Sequence, residues 1–148
     1  MIGIIGQGFV GNAVYQKFKN FYDILTYDID KEKCNSTLDN LIFKSETIFV
    51  CLPTPMNKDG SCDTSILNES LSNIDLVADN LETIKTIIIK STIPPGTTDK
   101  FNKQYPALNI VFNPEFLTER NAVKDFENQN RIIIGGPRPV TTEVKTIF

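Results

Sequence analysis

Short apolar runs alternate along the chain with stretches in which apolar residues recur every three or four positions. Residues 2–5 (IGII), 23–28 (DILTYD), 47–52 (TIFVCL), 86–90 (TIIIK), 109–112 (NIVF) and 131–134 (RIII) predict six short strands. Most are apolar throughout, the mark of strands covered on both faces. Between them, residues 11–20 predict a short helix. Leu67, Leu71, Ile74, Ala78 and Leu81 share one face of a second helix over 64–80, which Asp63 can cap. Thr97 or Thr98 can cap a third, running to about residue 105 after a Pro-Pro-Gly turn. Residues 31–44 are ambiguous between one poorly formed helix and loop. Strand and helix in this alternation predict an α/β fold: a Rossmann-type, doubly wound, mostly parallel sheet with helices on both faces. No repeat, low-complexity tract or linker interrupts it, so residues 1–148 read as one domain.

Composition narrows the function. The chain has 148 residues, 41% hydrophobic and 22% charged, enough apolar material for a real core. Its net charge of −3, without basic blocks, gives no footprint for nucleic acid or anionic membranes. No apolar run approaches the ~20 residues of a membrane span, and the expected location is cytoplasmic. The three cysteines, Cys34, Cys51 and Cys62, share no metal-type spacing, and there is no histidine. Ser-His-Asp triads, Cys-His pairs and most zinc sites are therefore excluded, and no metal is expected.

The first strand runs straight into GQGFVG, with Gly6, Gly8 and Gly11 in G-x-G-x-x-G spacing, followed by a helix. Gly6 permits the tight turn, Gly8 lets the backbone approach a pyrophosphate at the helix N-terminus, and Gly11 lets helix and strand pack closely. The alternative is a glycine turn with a purely structural role. Asp28 ends the next strand, where a carboxylate accepts hydrogen bonds from the adenosine ribose. Ile29 and Asp30 follow it, with no arginine to receive a 2′-phosphate, so the expected cofactor is NAD rather than NADP.

Three further stretches begin at strand ends: VCLPTPMNKDGSCDTS (50–65), KSTIPPGTT (90–98) and NPEFLTERNAVKDF (113–126). Ligands of open parallel sheets bind at the carboxyl ends of the strands. Thr54, Thr92 and Glu115 are thereby aimed at the same crevice as the glycines. Thr92 as a turn cap and Glu115 as a solvated loop acid are the plain structural alternatives.

Together with GQGFVG and RIIIGG, these stretches resemble the UDP-glucose/GDP-mannose dehydrogenase family over essentially the whole chain, in its N-terminal NAD-binding domain. The resemblance implies oxidation of the C6 alcohol of a nucleotide sugar to a carboxylate with two NAD per turnover. It implies that Gly6, Gly8, Phe9, Val10 and Gly11 form the pyrophosphate loop, Asp28 the ribose acid and Lys33 a basic residue near the adenosine. Thr54 and Thr92 match cofactor-side threonines, Thr92 close to the reacting carbon. Glu115 and Glu119 match acids near nicotinamide and sugar, Glu119 being tied to water activation in the hydrolytic half. It further implies a homodimer at full length.

Two departures from the family pattern stand out. Arg120 follows the second glutamate where a small residue is usual, and the 31–44 region is short. The family's nucleophile is a cysteine in a glycine-rich loop, behind a central helix carrying a lysine and an asparagine. No such loop occurs in these 148 residues. Cys51, within an apolar run, reads as a core residue, and neither Cys34 nor Cys62 has flanking glycines. The expectation is an N-terminal piece of a longer enzyme, inactive by itself, whose partners are the nucleotide sugar and the rest of the enzyme. Two other readings stay open: a β-hydroxyacid dehydrogenase-like oxidoreductase and a non-catalytic NAD-sensing module.

Overall fold

Five of the six apolar runs pair. In the computed structural model, which describes all 148 residues, β1 (Ile2–Ile5), β2 (Ile24–Tyr27), β3 (Thr47–Val50), β4 (Lys85–Ile89) and β5 (Leu108–Phe112) form one parallel sheet. Its strand order is β2-β1-β3-β4-β5. Ile5 of β1 lies beside Tyr27 on one flank and Val50 on the other. The chain leaves β1 toward β2 and returns to the opposite side for β3. The order therefore reverses there, and a crevice opens beyond the carboxyl ends of β1 and β3.

Six helices cover the sheet: α1 (Phe9–Phe18), α2 (Leu38–Lys44), α3 (Ser65–Asn80), α4 (Thr97–Gln104), α5 (Ala122–Asn128) and α6 (Val140–Lys145). Alternation along each strand divides the core into two layers. Ile48 and Val50 point toward Leu41 of α2, Leu67 and Leu71 of α3, and Phe101 of α4. Phe49 points the other way, toward Val14 and Phe18 of α1, Phe126 of α5 and Val144 of α6. The helix positions expected on one face of α3, Leu67, Leu71, Ile74 and Ala78, are all buried. Burying each of the larger ones contributes roughly 1.5–3 kcal/mol.

The sixth run is not a strand. Ile132 and Ile133 are 41% and 47% exposed, and one antiparallel bridge, Phe112 with Gly135, is all that joins this segment to β5. The Asn113 side chain explains the arrest: its Nδ2 donates to the Ile133 carbonyl at 2.7 Å, taking the acceptor a ladder would need.

Helix starts also differ from expectation. Gly96, at φ +84°, forms the N-cap of α4, so Thr97 and Thr98 lie inside its first turn. Thr64 occupies the α3 N-cap position, while Asp63 Oδ1 accepts the Ser65 N–H at 2.8 Å. The 31–44 region resolves into a 3-10 turn over Lys31–Lys33 and α2, whose Thr37 hydroxyl accepts the Asn40 N–H at 3.3 Å.

Candidate functional site

The turn from β1 into α1 is built for close approach. Gly6 sits at φ +90°, and a side chain there would collide with the Cys51 carbonyl. A side chain at Gly11 would collide with the Gly6 carbonyl oxygen, so this glycine fixes how tightly α1 packs on the loop. Gly8 is different: a Cβ there would meet nothing within 4 Å. No packing within the protein requires that glycine. The space it leaves open lies over the α1 N-terminus.

Gly8 caps α1 without a side-chain hydrogen bond, and the first N–H of α1 to find a backbone acceptor is that of Asn12, at 2.9 Å to the Gly8 carbonyl. The N–H groups of Phe9, Val10 and Gly11 thus remain free at the positive end of the helix dipole, a ready anion site. Gln7 N–H is already committed, donating to Asp28 Oδ2, while Asp28 Oδ1 accepts the Asp30 N–H at 2.9 Å. The end of β2 is held further by Cys34, whose Sγ lies 3.1 Å from both the Asp28 N–H and the Asp28 carbonyl. Asp28 is therefore a braced acceptor with lone pairs left over.

A cleft of about 700 Å³ runs from this loop across the strand ends. It brings together Gly6, Gly8, Phe9, Val10, Asp28, Lys33, Thr54, Thr92 and Glu115. Gly11 lies beneath it as packing. Glu119 is not brought in: it sits exposed in a 3-10 turn over Glu119–Asn121. Arg120, the unusual neighbour, is exposed in the same turn. Thr54 Oγ1 donates to the Thr92 carbonyl at 2.7 Å and so ties the loop after β3 to the loop after β4. Lys33 forms an ion pair with Asp30 at 3.4 Å on the outer rim. A shallower hollow of about 610 Å³ adjoins the cleft through Gly8, Phe9 and Lys33.

Sequence reasoning missed the floor of the cleft. Lys90, at the end of β4, is 1% exposed, and its Nζ donates to Asn113 Oδ1 at 2.9 Å. Ser91 Oγ and Glu115 Oε2 are buried without a hydrogen-bond partner. The signal was available: a lysine ending an otherwise apolar TIIIK run cannot reach solvent as a strand-surface lysine does. Cys51 corrects another expectation. It follows β3 rather than lying within it, and it lines the cleft. Burial pushes its thiol up to about 12, although part of the residue faces the cleft, so it is protonated near neutral pH. Burial also raises the Glu115 carboxyl above the usual carboxylate range, with its own backbone and Lys90 pulling the other way. It lowers Lys90, against the pull of Cys51 and Glu115.

An open cradle over Gly8, three free N–H groups at a helix start, a braced acid at the end of β2 and orphaned polar atoms farther along suit a dinucleotide. Comparisons with known proteins agree. The family model for the NAD binding domain of the UDP-glucose/GDP-mannose dehydrogenase family matches residues 33–148. The uncharacterized protein MJ1054 of Methanocaldococcus jannaschii is 33% identical over 90% of this chain and 18% of its own length. A UDP-glucose 6-dehydrogenase of Rhizobium meliloti is 29% identical over 97% of this chain and 42% of its own. The chain thus spans less than half the length of these relatives. In fold it is similar to GDP-mannose dehydrogenase from Pseudomonas aeruginosa, solved as a ternary complex, with TM-score 0.86 at 19% identity over 99% of this chain and 43% of that one. With the matched region running from Lys33 through the cleft loops to Phe148, the chain belongs to the UDP-glucose/GDP-mannose dehydrogenase family as its NAD-binding domain.

Proposed function

We propose that the chain is the cofactor-binding part of a cytoplasmic nucleotide-sugar 6-dehydrogenase, which oxidises the C6 alcohol of UDP-glucose or a related nucleotide sugar to the carboxylate. The observation that carries this reading is the single cleft uniting the Gly8 cradle and Asp28 with Thr92 and Glu115. NAD, when bound, accepts hydride; one alcohol, two NAD and one water yield one carboxylate, two NADH and protons.

The chain's own residues bind and orient. The N–H groups of Phe9, Val10 and Gly11 hold the pyrophosphate, Asp28 accepts from the ribose hydroxyls, and Lys33 stands near the adenosine. Thr54 steadies the Thr92 loop through its hydrogen bond to the Thr92 carbonyl. This leaves the Thr92 hydroxyl free to hold a water or the substrate oxygen close to the reacting carbon. Glu115 faces the nicotinamide end. Glu119, exposed outside the cleft, would assist water in the hydrolytic half only with the remainder of the enzyme closed over it.

The nucleophile comes from outside these residues. Cys51 is a protonated thiol, the Cys34 sulfur is engaged by the Asp28 backbone, and the Cys62 sulfur lies against the Thr54 and Thr92 carbonyls at 4.0 and 3.7 Å. The homodimer and the nucleotide-sugar site belong to the same proposal. The test combines calorimetric titration with NAD and the near-ultraviolet absorbance of NADH in the presence of NAD and UDP-glucose. Saturable NAD binding without sustained NADH formation is expected. Sustained turnover at about 1–10³ per second would overturn this division of labour, and absence of NAD binding would overturn the reading itself.

A further inference from the structure

The charged residues lining the cleft fall into two opposed pairs: Asp28 with Lys33 at the glycine-loop end, and Lys90 with Glu115 at the β4–β5 end. In the second pair Glu115 is among the expected site residues and Lys90 is not. Lys90 is almost wholly buried, yet no carboxylate lies within ion-pairing distance; Lys33–Asp30 is the only ion pair in the protein. An ammonium has three donors. The contacts of Lys90 Nζ are Asn113 Oδ1 at 2.9 Å and the Phe126 ring, whose centroid is 5.3 Å away. Glu115 Oε2 is likewise buried and without a partner on the same cleft. Cys51, the remaining titratable group beside them, is a neutral thiol. A buried cation and a half-buried carboxylate, held apart with no ion pair to either, set a local field across the cleft rather than cancelling it.

We infer that Lys90 and Glu115 act as an opposed pair that sets the preference of the site between the two oxidation states of the nicotinamide, Lys90 favouring the reduced form and Glu115 the oxidised. This rests on the proposed NAD reading, in which the pyrophosphate lies at the α1 N-terminus and the nicotinamide half continues toward the ends of β4 and β5. The oxidised ring carries a positive charge and the reduced ring none. A fixed ammonium nearby weakens binding of the first relative to the second, and a carboxylate does the reverse. Asn113 is the positioning residue of the pair: it holds the ammonium through Oδ1 and is itself pinned by its Nδ2 to the Ile133 carbonyl. The segment that fails to pair as a sixth strand thus helps hold Lys90 in place.

The test is the ratio of Kd values, NAD over NADH, measured by titration on the 148-residue chain. Lys90→Met fills a similar volume against Phe126 without charge and should lower the ratio on the order of tenfold. Glu115→Gln should raise it. Should Lys90→Met fail to fold, Asn113→Asp decides instead. It is nearly isosteric and sets a carboxylate against the ammonium, so it should lower the ratio as Lys90→Met does. An unchanged ratio, or a shift of Lys90→Met in the same direction as Glu115→Gln, overturns the inference while leaving the NAD reading intact. Failure of the unmodified chain to bind either form overturns the NAD reading, and the inference with it.

Discussion

Replacing Gly8 with valine separates folding from binding. In the free protein a Cβ at this position meets nothing within 4 Å, and α1 begins at the next residue with no side-chain cap to lose. Stability should therefore change by no more than about 1 kcal/mol, the cost of valine for glycine at an N-cap with no steric clash. Binding should suffer far more. The branched side chain occupies the volume over the α1 N-terminus, where the free N–H groups of Phe9, Val10 and Gly11 wait for an anion. Two hydrogen bonds to a charged phosphate are worth roughly 1.5–3 kcal/mol each. Their loss amounts to about 3–6 kcal/mol, on the order of 10²–10⁴-fold in Kd. Thermal unfolding followed by circular dichroism reports the first quantity and calorimetric NAD titration the second. A folded variant that keeps NAD affinity within about threefold would refute the placement of the pyrophosphate.

Gly11→Ala should behave in the opposite way, losing stability even without cofactor, because its side chain strikes the Gly6 carbonyl. A urea midpoint lowered by the equivalent of roughly 1–3 kcal/mol is expected, and an unchanged midpoint would show that α1 is free to shift. NADP should bind at least about tenfold more weakly than NAD, since a 2′-phosphate would meet the Asp28 and Asp30 carboxylates; equal affinities in paired titrations would remove Asp28 from its assigned place. Glu115 also makes a pH prediction. Burial raises its folded-state pKa, so its contribution to stability is greatest below the unfolded-state value and is lost as pH rises through the folded value. Glu115→Gln should therefore gain stability relative to the unmodified chain between about pH 4 and pH 7, measured by urea unfolding at both; a constant difference would contradict the burial of that carboxyl.

Much of the architecture could be read from the chain because local pattern and tertiary role coincide. Ile48, Phe49 and Val50 are apolar in sequence because both faces of β3 are covered, and α3 repeats at helical spacing because one face packs on the sheet. The reading failed at Arg131–Ile134, where composition matches a strand but the deciding partner, the Asn113 side chain, lies 20 residues away from Ile133. At the site, the glycines and Asp28 were legible because backbone conformation and strand-end position leave fixed spacings. Lys90 was not, because its character comes from burial beside Phe126 and Asn113, which no local spacing records. Glu119 resembles a site residue in sequence, yet this fold leaves it facing solvent.

The double engagement of Asp28 bears on how readily such a protein could evolve a different cofactor. The same carboxylate that meets the ribose in the proposed reading also anchors Gln7 N–H and Asp30 N–H. Replacing it with alanine to admit a phosphorylated ribose would remove the repulsion and, in the same step, one of the ties between the glycine loop and the end of β2, leaving the Gly6 N–H to Tyr27 carbonyl bond at 2.8 Å. A lineage switching cofactor would have to pass through a loosened intermediate, or reach a residue such as serine or asparagine that keeps an acceptor for Gln7 while giving up the charge. Here the historical route to new specificity is narrowed by what the residue does when no cofactor is bound.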